Sequence, residues 1–274
     1  MTPIQSGLLR VRVDCVTDTD TIEQPQAALV RRLEARNDRL QEALQAASRE
    51  IDSLTYSIAH DLRTPLMHID GFAQLLQTST GATLDHESRD HLERIIGATR
   101  TMGDQIGALL DYSRVNSCEL VVSDVDLEDV LSEAMELVRP WSNGRSIQWQ
   151  RTRLPTVRGD ENLLRQVLVN LVSNAVKYTR PRDPAVIEIG TRVAQAHELI
   201  VFVRDNGVGF DLKYASKLFS PFQRMHAADA FRGIGMGLAK VRRIVARHGG
   251  RVWAEAEVGR GATFFFTLPE EVDV

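Results

Sequence analysis

From Ala27 onward, apolar residues recur every seven positions. Val30, Asn37, Leu44, Ile51 and Ile58 mark one line of the repeat, and Leu33, Leu40, Ala47 and Leu54 follow the first four by three residues. About four unbroken heptads predict a coiled coil rather than a lone amphipathic helix. β-branched residues on the first line and leucines on the second favour two parallel strands. Asn37, the one polar residue in the seam, can fix register against its symmetry mate. The bland alternative is a long surface helix packed on its own domain. The helical pattern continues through SIAHDLRTPLMHIDGFAQLLQ, residues 57–77, where Pro65 should kink it. TSTGATLD, residues 78–85, has turn composition. A second amphipathic helix then carries Leu92, Ile95, Ile96, Thr99, Met102, Ile106, Leu109 and Leu110 on one face and ends near residues 113–117. Two antiparallel helices cannot bury both apolar faces alone. Two copies can, as a four-helix bundle.

After Asn116 the pattern becomes α/β. Strands are predicted at 121–127, 147–150, 186–193, 199–204, 251–256 and 263–268. Helices are predicted at 127–138, at 160–178 with Asp160 near its N-cap, and at 237–248, stopped by Gly249–Gly250. Ahead of the heptads, residues 8–16 alternate enough for a short strand, and residues 17–26 read as a loop closed by Pro25.

Composition narrows the function classes. The chain has 274 residues, 43% of them apolar and 26% charged, which suits one or two globular domains. No apolar run approaches the roughly 20 residues that span a bilayer, and the N-terminus lacks a secretory pattern. Two cysteines without a CxxC pair leave no disulfide framework or zinc site, and a cytoplasmic setting fits. A net charge of −4 gives no reason to expect nucleic acid as a partner. The 18 glycines are an average share, but nine lie between Gly207 and Gly261, so this stretch bends tightly or approaches something closely.

Three segments there and just before carry chemistry. DNGVGF, 205–210, follows a buried strand, so Asp205 could accept from an exocyclic amine while Gly207 and Gly209 admit a flat ring; alone it is only a turn signal. RGIGMGL, 232–238, sets Gly233, Gly235 and Gly237 before a helix, where backbone amides can cradle phosphate. It looks like a dinucleotide pattern without the preceding strand that pattern needs. NLVSNAVKYT, 170–179, puts Asn170, Asn174 and Lys177 on one helical face, suited to magnesium and phosphate or simply to solvent.

Together and in order, NLVSNAVKYT, DNGVGF, LFSPFQRMH, GIGMGL and GRGATFFFTLP resemble the ATP-binding domain of sensor histidine kinases, in the GHKL group. SIAHDLRTPL resembles the phosphoacceptor motif of the same family. The resemblance covers residues 27–270. It implies an α plus α/β fold: an N-terminal coiled coil and antiparallel helical hairpin, a four-helix bundle in the dimer, then a two-layer α/β sandwich of the GHKL (Bergerat) type. The implied organisation is an N-terminal segment at 1–26, a signalling helix at 27–56, a dimerisation and phosphotransfer domain at 57–117 and a catalytic ATP-binding domain at 118–274.

The resemblance also implies roles. His60 is the expected phosphoacceptor, Asp61 orients its imidazole or accepts its proton, and Thr64 is the residue that positions water in a response-regulator phosphatase reaction. For ATP, Asn170 and Lys177 face the phosphates, Asn174 holds Mg2+, Tyr178 covers the purine, and Asp205 takes the adenine amine between Gly207 and Gly209. Gly233, Gly235 and Gly237 hinge the lid and meet phosphates, and Leu238 is a further nucleotide-binding residue. Phe219 and Phe222 anchor the start of the lid or pack in the core, Arg224 is a γ-phosphate candidate, and Thr263 helps close the adenine pocket. The usual hydroxyl after the last GxG is Ala262, and the lid segment HAADAFR is short. The implied partners are a second copy, a response-regulator receiver domain docking near residues 67–72, and an upstream sensor partner. With only some 25 residues ahead of the core, the chain reads as a fragment of a longer receptor or as a kinase driven by such a partner. The competing classes are a nucleotide-binding dimer scaffold and a GHKL ATPase or serine kinase.

Overall fold

The long heptad pattern forms a single helix, α1 (Asp20–Thr80), followed by α2 (His86–Ser117). The computed structural model describes residues 20–80, 83–142, 144–193, 198–223, 225 and 233–269. The strand expected at 8–16 lies outside them. Residues 20–26, expected in a loop, are helical. Pro25 forfeits only the bond to Thr21 near the start of α1, where little helix is lost. Pro65 does not interrupt the helix either.

The chain divides into two compact units, residues 1–50 and 51–274. In the first, the described residues are helical and Leu33, Leu40 and Leu44 are exposed.

In the second, α1 and α2 pair antiparallel. Asp85 caps α2 by accepting from the Ser88 amide at 2.7 Å. Two small cores join the helices: Ala59, Leu66, Ile106 and Leu110, then Ala73, Leu92 and Ile96. Polar rungs mark the register. The Thr99 hydroxyl donates to Asp70 at 3.1 Å, and Asn116 donates to the Asp52 carboxylate at 2.7 and 2.6 Å. The apolar face predicted for α2 divides. Leu92, Ile96, Ile106 and Leu110 are buried, while Ile95 and Met102 remain exposed.

The remainder is a helix layer on a sheet. β1 (Ser123–Asp126) leads into α3 (Leu127–Val138) and a 3-10 turn at Arg139–Ser142. β2 (Ile147–Arg151) and β3 (Thr156–Gly159) precede α4 (Glu161–Tyr178), β4 (Ala185–Val193) and β5 (Glu198–Asp205). A short α5 (Ala215–Leu218), α6 (Gly237–Arg247), β6 (Val252–Glu257) and β7 (Gly261–Pro269) complete it. β3 was not anticipated; its four residues show no run of apolar alternation and are held by antiparallel pairing to β1. The main sheet has order β2-β4-β5-β7-β6, with β2 parallel to β4 and the other pairs antiparallel. Its inner face, including Ile187, Ile189, Val201, Val203, Phe264 and Phe266, packs beneath α3, α4 and α6 to form the core.

Asp160 joins several elements. Its carboxylate caps α4 through the Leu163 amide at 3.1 Å and also accepts from the Val121 amide at 3.1 Å. Its own amide donates to His248 Nε2 at 3.0 Å, while His248 Nδ1 lies 2.8 Å from the Ile244 carbonyl. That pair of contacts fixes the His248 proton on Nδ1.

Candidate functional site

α4 is two-faced. Leu164, Val167, Leu168, Leu171 and Val172 are buried in the core. Asn170, Asn174, Lys177 and Tyr178 line a cavity of about 510 Å³ on the other side. Gly233, Gly235, Gly237 and Leu238 form its facing wall. A Cβ on Gly237 would sit 2.6 Å from Asn170 Oδ1, so any larger residue there would push the Asn170 side chain aside. The Asn170 amide nitrogen donates to the Gln166 carbonyl at 2.6 Å, which leaves its oxygen on the side of Gly237. Lys177 Nζ lies 4.7 Å from the centre of the Tyr178 ring and 3.4 Å from its hydroxyl. The cavity therefore combines two amides, an ammonium, a tyrosine and a glycine-rich backbone, a set suited to a polyanion attached to a flat ring.

Asp205, Gly207, Gly209 and Thr263 form a second group that is not on that wall. Asp205 ends β5 and is 4% exposed. Burial raises its carboxyl to about 6, against amide hydrogen bonds from Gly207 and Ala262 that pull it down. The Ala262 side chain lacks a hydroxyl, but its backbone amide reaches this carboxylate. Gly209 has φ of 61°, and a Cβ would fall 2.0 Å from the Glu257 carbonyl oxygen, which bars any other residue. The Val208 amide donates to the Tyr178 carbonyl at 3.2 Å, so the second group is tied directly to the end of α4. Thr263 is buried on β7, paired with Arg204 beside the Asp205–Ala262 rung.

At the start of the lid, Phe219 packs on the core, whereas Phe222 is 44% exposed with φ of 59°. Positive φ is costly for an aromatic residue, and this turn lies against Gly235, where a Cβ would fall 2.5 Å from the Gln223 carbonyl oxygen. Arg224 and residues 226–232 lie outside the described residues.

On the hairpin, the His60 side chain is 66% exposed, with Nδ1 3.4 Å from Asp61 Oδ1. A proton on Nδ1 shared with Asp61 leaves Nε2 with its lone pair, the nucleophilic tautomer. Thr64, one turn on, is also exposed. The cavity is closed on one side by Ala108 and Asp111 of α2. The rungs at Asp70–Thr99 and Asp52–Asn116 step evenly along the hairpin and place His60 at the height of Ala108.

Sequence patterning did not indicate several residues that belong to this region. Trp141 and Arg180 lie on the cavity wall, as does Lys240, which pairs with Asp111 at 3.7 Å. Lys240, Arg243 and Arg247 share one face of α6. Arg243 meets Asp52 at 3.8 Å, and Arg247 donates to the Val115 and Cys118 carbonyls at the end of α2. The spacing of three and four was visible in the sequence, but not what it would face. Among the described residues, no helix is long and apolar enough to cross a membrane, and no cluster of three or more His, Cys, Asp or Glu could hold a metal ion.

Two family models match. Residues 50–118 match the His Kinase A (phospho-acceptor) domain, and residues 159–272 match the histidine kinase-, DNA gyrase B-, and HSP90-like ATPase. The chain belongs to the histidine kinase family. Among its relatives is the methanogenesis regulatory histidine kinase FilI of Methanothrix harundinacea, 34% identical over 264 residues, covering 96% of this chain and 29% of that protein. Phytochrome-like protein Cph1 of Synechocystis sp. is 28% identical over 226 residues, covering 82% of this chain and 30% of that one. The chain thus spans less than a third of the length of these two relatives. The full-length structure of ShkA in complex with AMPPNP aligns with a TM-score of 0.58 at 29% identity, over 79% of this chain and 45% of that one.

Proposed function

We propose that this chain transfers the γ-phosphoryl group of ATP to His60 and then passes it to an aspartate on the receiver domain of a response regulator. The observation that carries this reading is the closure of the Asn170–Asn174–Lys177 cavity by α2 at the height of His60. In the transfer, His60 Nε2 attacks phosphorus in line as the bond to the ADP oxygen breaks, and Asp61 meets the positive charge that develops on the imidazole. Lys177 and Asn170 bind phosphate oxygens. Tyr178 covers the purine, whose amine donates to Asp205 between Gly207 and Gly209. Gly233, Gly235, Gly237 and Leu238 carry the lid, and Thr263 backs the adenine end. Asn174 offers a neutral amide oxygen on the cavity wall, a fitting single protein ligand for Mg2+ shared with substrate phosphates. That ion would neutralise phosphate charge when bound.

The exposed seam of Leu33, Leu40, Leu44, Ile51 and Leu54 supports a homodimer, continued through the hairpin as a four-helix bundle. Met67 and Phe72, also exposed, support receiver docking on the same hairpin. Thr64 supports a second role, orienting water against the regulator's aspartyl phosphate. Input then arrives from an upstream partner through the heptad helix. Incubation with γ-labelled ATP tests the central claim. The label should appear as acid-labile, alkali-stable phosphate and vanish in His60→Gln; retained label in that variant would refute it.

A further inference from the structure

Arg182 lies four residues past the end of α4 and outside every motif noted in the sequence. It is half-buried, and its guanidinium donates to three backbone carbonyls. Nε reaches Asn206 at 2.8 Å, and Nη2 reaches Gly207 at 3.0 Å and also Gly259. The first two acceptors belong to the turn that follows Asp205. The third belongs to the β6–β7 connection, which leads to Ala262, the other amide on the Asp205 carboxylate. The two loops touch otherwise through the Gly259 amide, which donates to Val208 at 2.8 Å.

The neighbouring Asn206 side chain fastens the same turn from the opposite side. Its oxygen accepts from the Val186 amide at 2.9 Å, and its nitrogen donates to the Pro184 carbonyl at 3.0 Å. Asp205 is therefore held between two loops that one planar cation bridges, beside the backbone bond from Gly259 to Val208. The fork of a guanidinium suits this task because it presents several donors at fixed angles. An ammonium on a flexible stem does not.

We propose that Arg182 is a positioning residue for base selection: by fixing the two loops that frame Asp205, it sets how strictly this chain prefers an adenine nucleotide. It acts through Asp205 and touches no nucleotide itself. A site built to accept from a substrate amine rejects an analogue lacking it only while the acceptor is held in place. The inference rests on the reading of Asp205 as the adenine contact.

The test measures displacement of a fluorescent ATP analogue from the full chain by ATP and by inosine triphosphate, which carries an oxo group in place of the amine. Arg182→Ala should weaken ATP by about tenfold and leave inosine triphosphate nearly unchanged, so that the preference between them collapses. Arg182→Lys should behave like the alanine variant despite keeping its charge, and it serves as the readout if the alanine variant folds poorly. Equal weakening of both nucleotides, or a lysine variant with the original preference, would overturn the proposal. Asp205→Ala separates the two layers. If the original preference survives in that variant, the adenine contact itself is wrong, and the role of Arg182 fails with it. If the preference falls in Asp205→Ala but not in either Arg182 variant, only the positioning role fails.

Discussion

The hairpin and the α/β domain solve the burial problem differently. In the α/β domain one helix layer covers one sheet, and residues such as Phe266, Leu168 and Ile187 reach 0% exposure. In the hairpin only a thin line of side chains is buried between α1 and α2, while Ile69, Phe72, Leu75 and Met102 stand about half exposed or more. A domain that closes on itself fixes a nucleotide site through rigid contacts. A hairpin that leaves apolar surface open depends on another surface, and its geometry can change with what covers it.

The largest test of this division is chemical. His60→Gln should abolish phosphoryl incorporation while an ATP analogue still binds with unchanged affinity, measured by labelling and by fluorescence titration. Next comes stability. Phe266→Ala should cost about 3–5 kcal/mol in denaturant unfolding, independent of protein concentration. Leu40→Asp should instead leave the α/β transition in place and remove the concentration dependence of hairpin unfolding, read by sedimentation and thermal melts.

Asp205 sharpens the comparison through pH. Its folded carboxyl sits near 6, above the ordinary 3.8, so ionisation is disfavoured in the folded chain. Folding stability from this group should rise as pH falls from about 7 toward 4, by up to about 3 kcal/mol. ATP affinity should move the opposite way, falling as pH drops through 6, because the protonated acid loses its acceptor charge. Asp205→Asn should flatten both trends, as followed by melts and titrations across that range. The smallest effect belongs to the bridge between the regions. Arg243→Ala removes a 3.8 Å pair with Asp52 and should change unfolding free energy by less than about 1 kcal/mol.

Much of the fold was legible because it follows a strong period. The α3 and α4 spans and the Asp160 cap follow from apolar spacing and a short polar side chain. β3 was not legible, since Thr156–Gly159 is fixed by a partner strand rather than by its own pattern. The helical state of residues 20–26 was hidden by Pro25, whose usual meaning is a break. Around the nucleotide cavity, motifs pointed to Asn170, Asn174 and Lys177 but not to Trp141, Arg182 or Lys240. Those three reach the region from loops and a neighbouring helix, and their relevance exists only once the chain is folded.

One short helix touches both regions. α6 begins on the cavity wall at Gly237 and Leu238 and ends three turns later with Arg247 on the carbonyls that terminate α2. A displacement at either end must be felt at the other, because a helix of this length does not bend easily. By reciprocity, any hairpin arrangement that tightens nucleotide binding is itself favoured by nucleotide, and to the same degree. Nucleotide occupancy and hairpin geometry would thereby be two readings of one equilibrium, joined through α6.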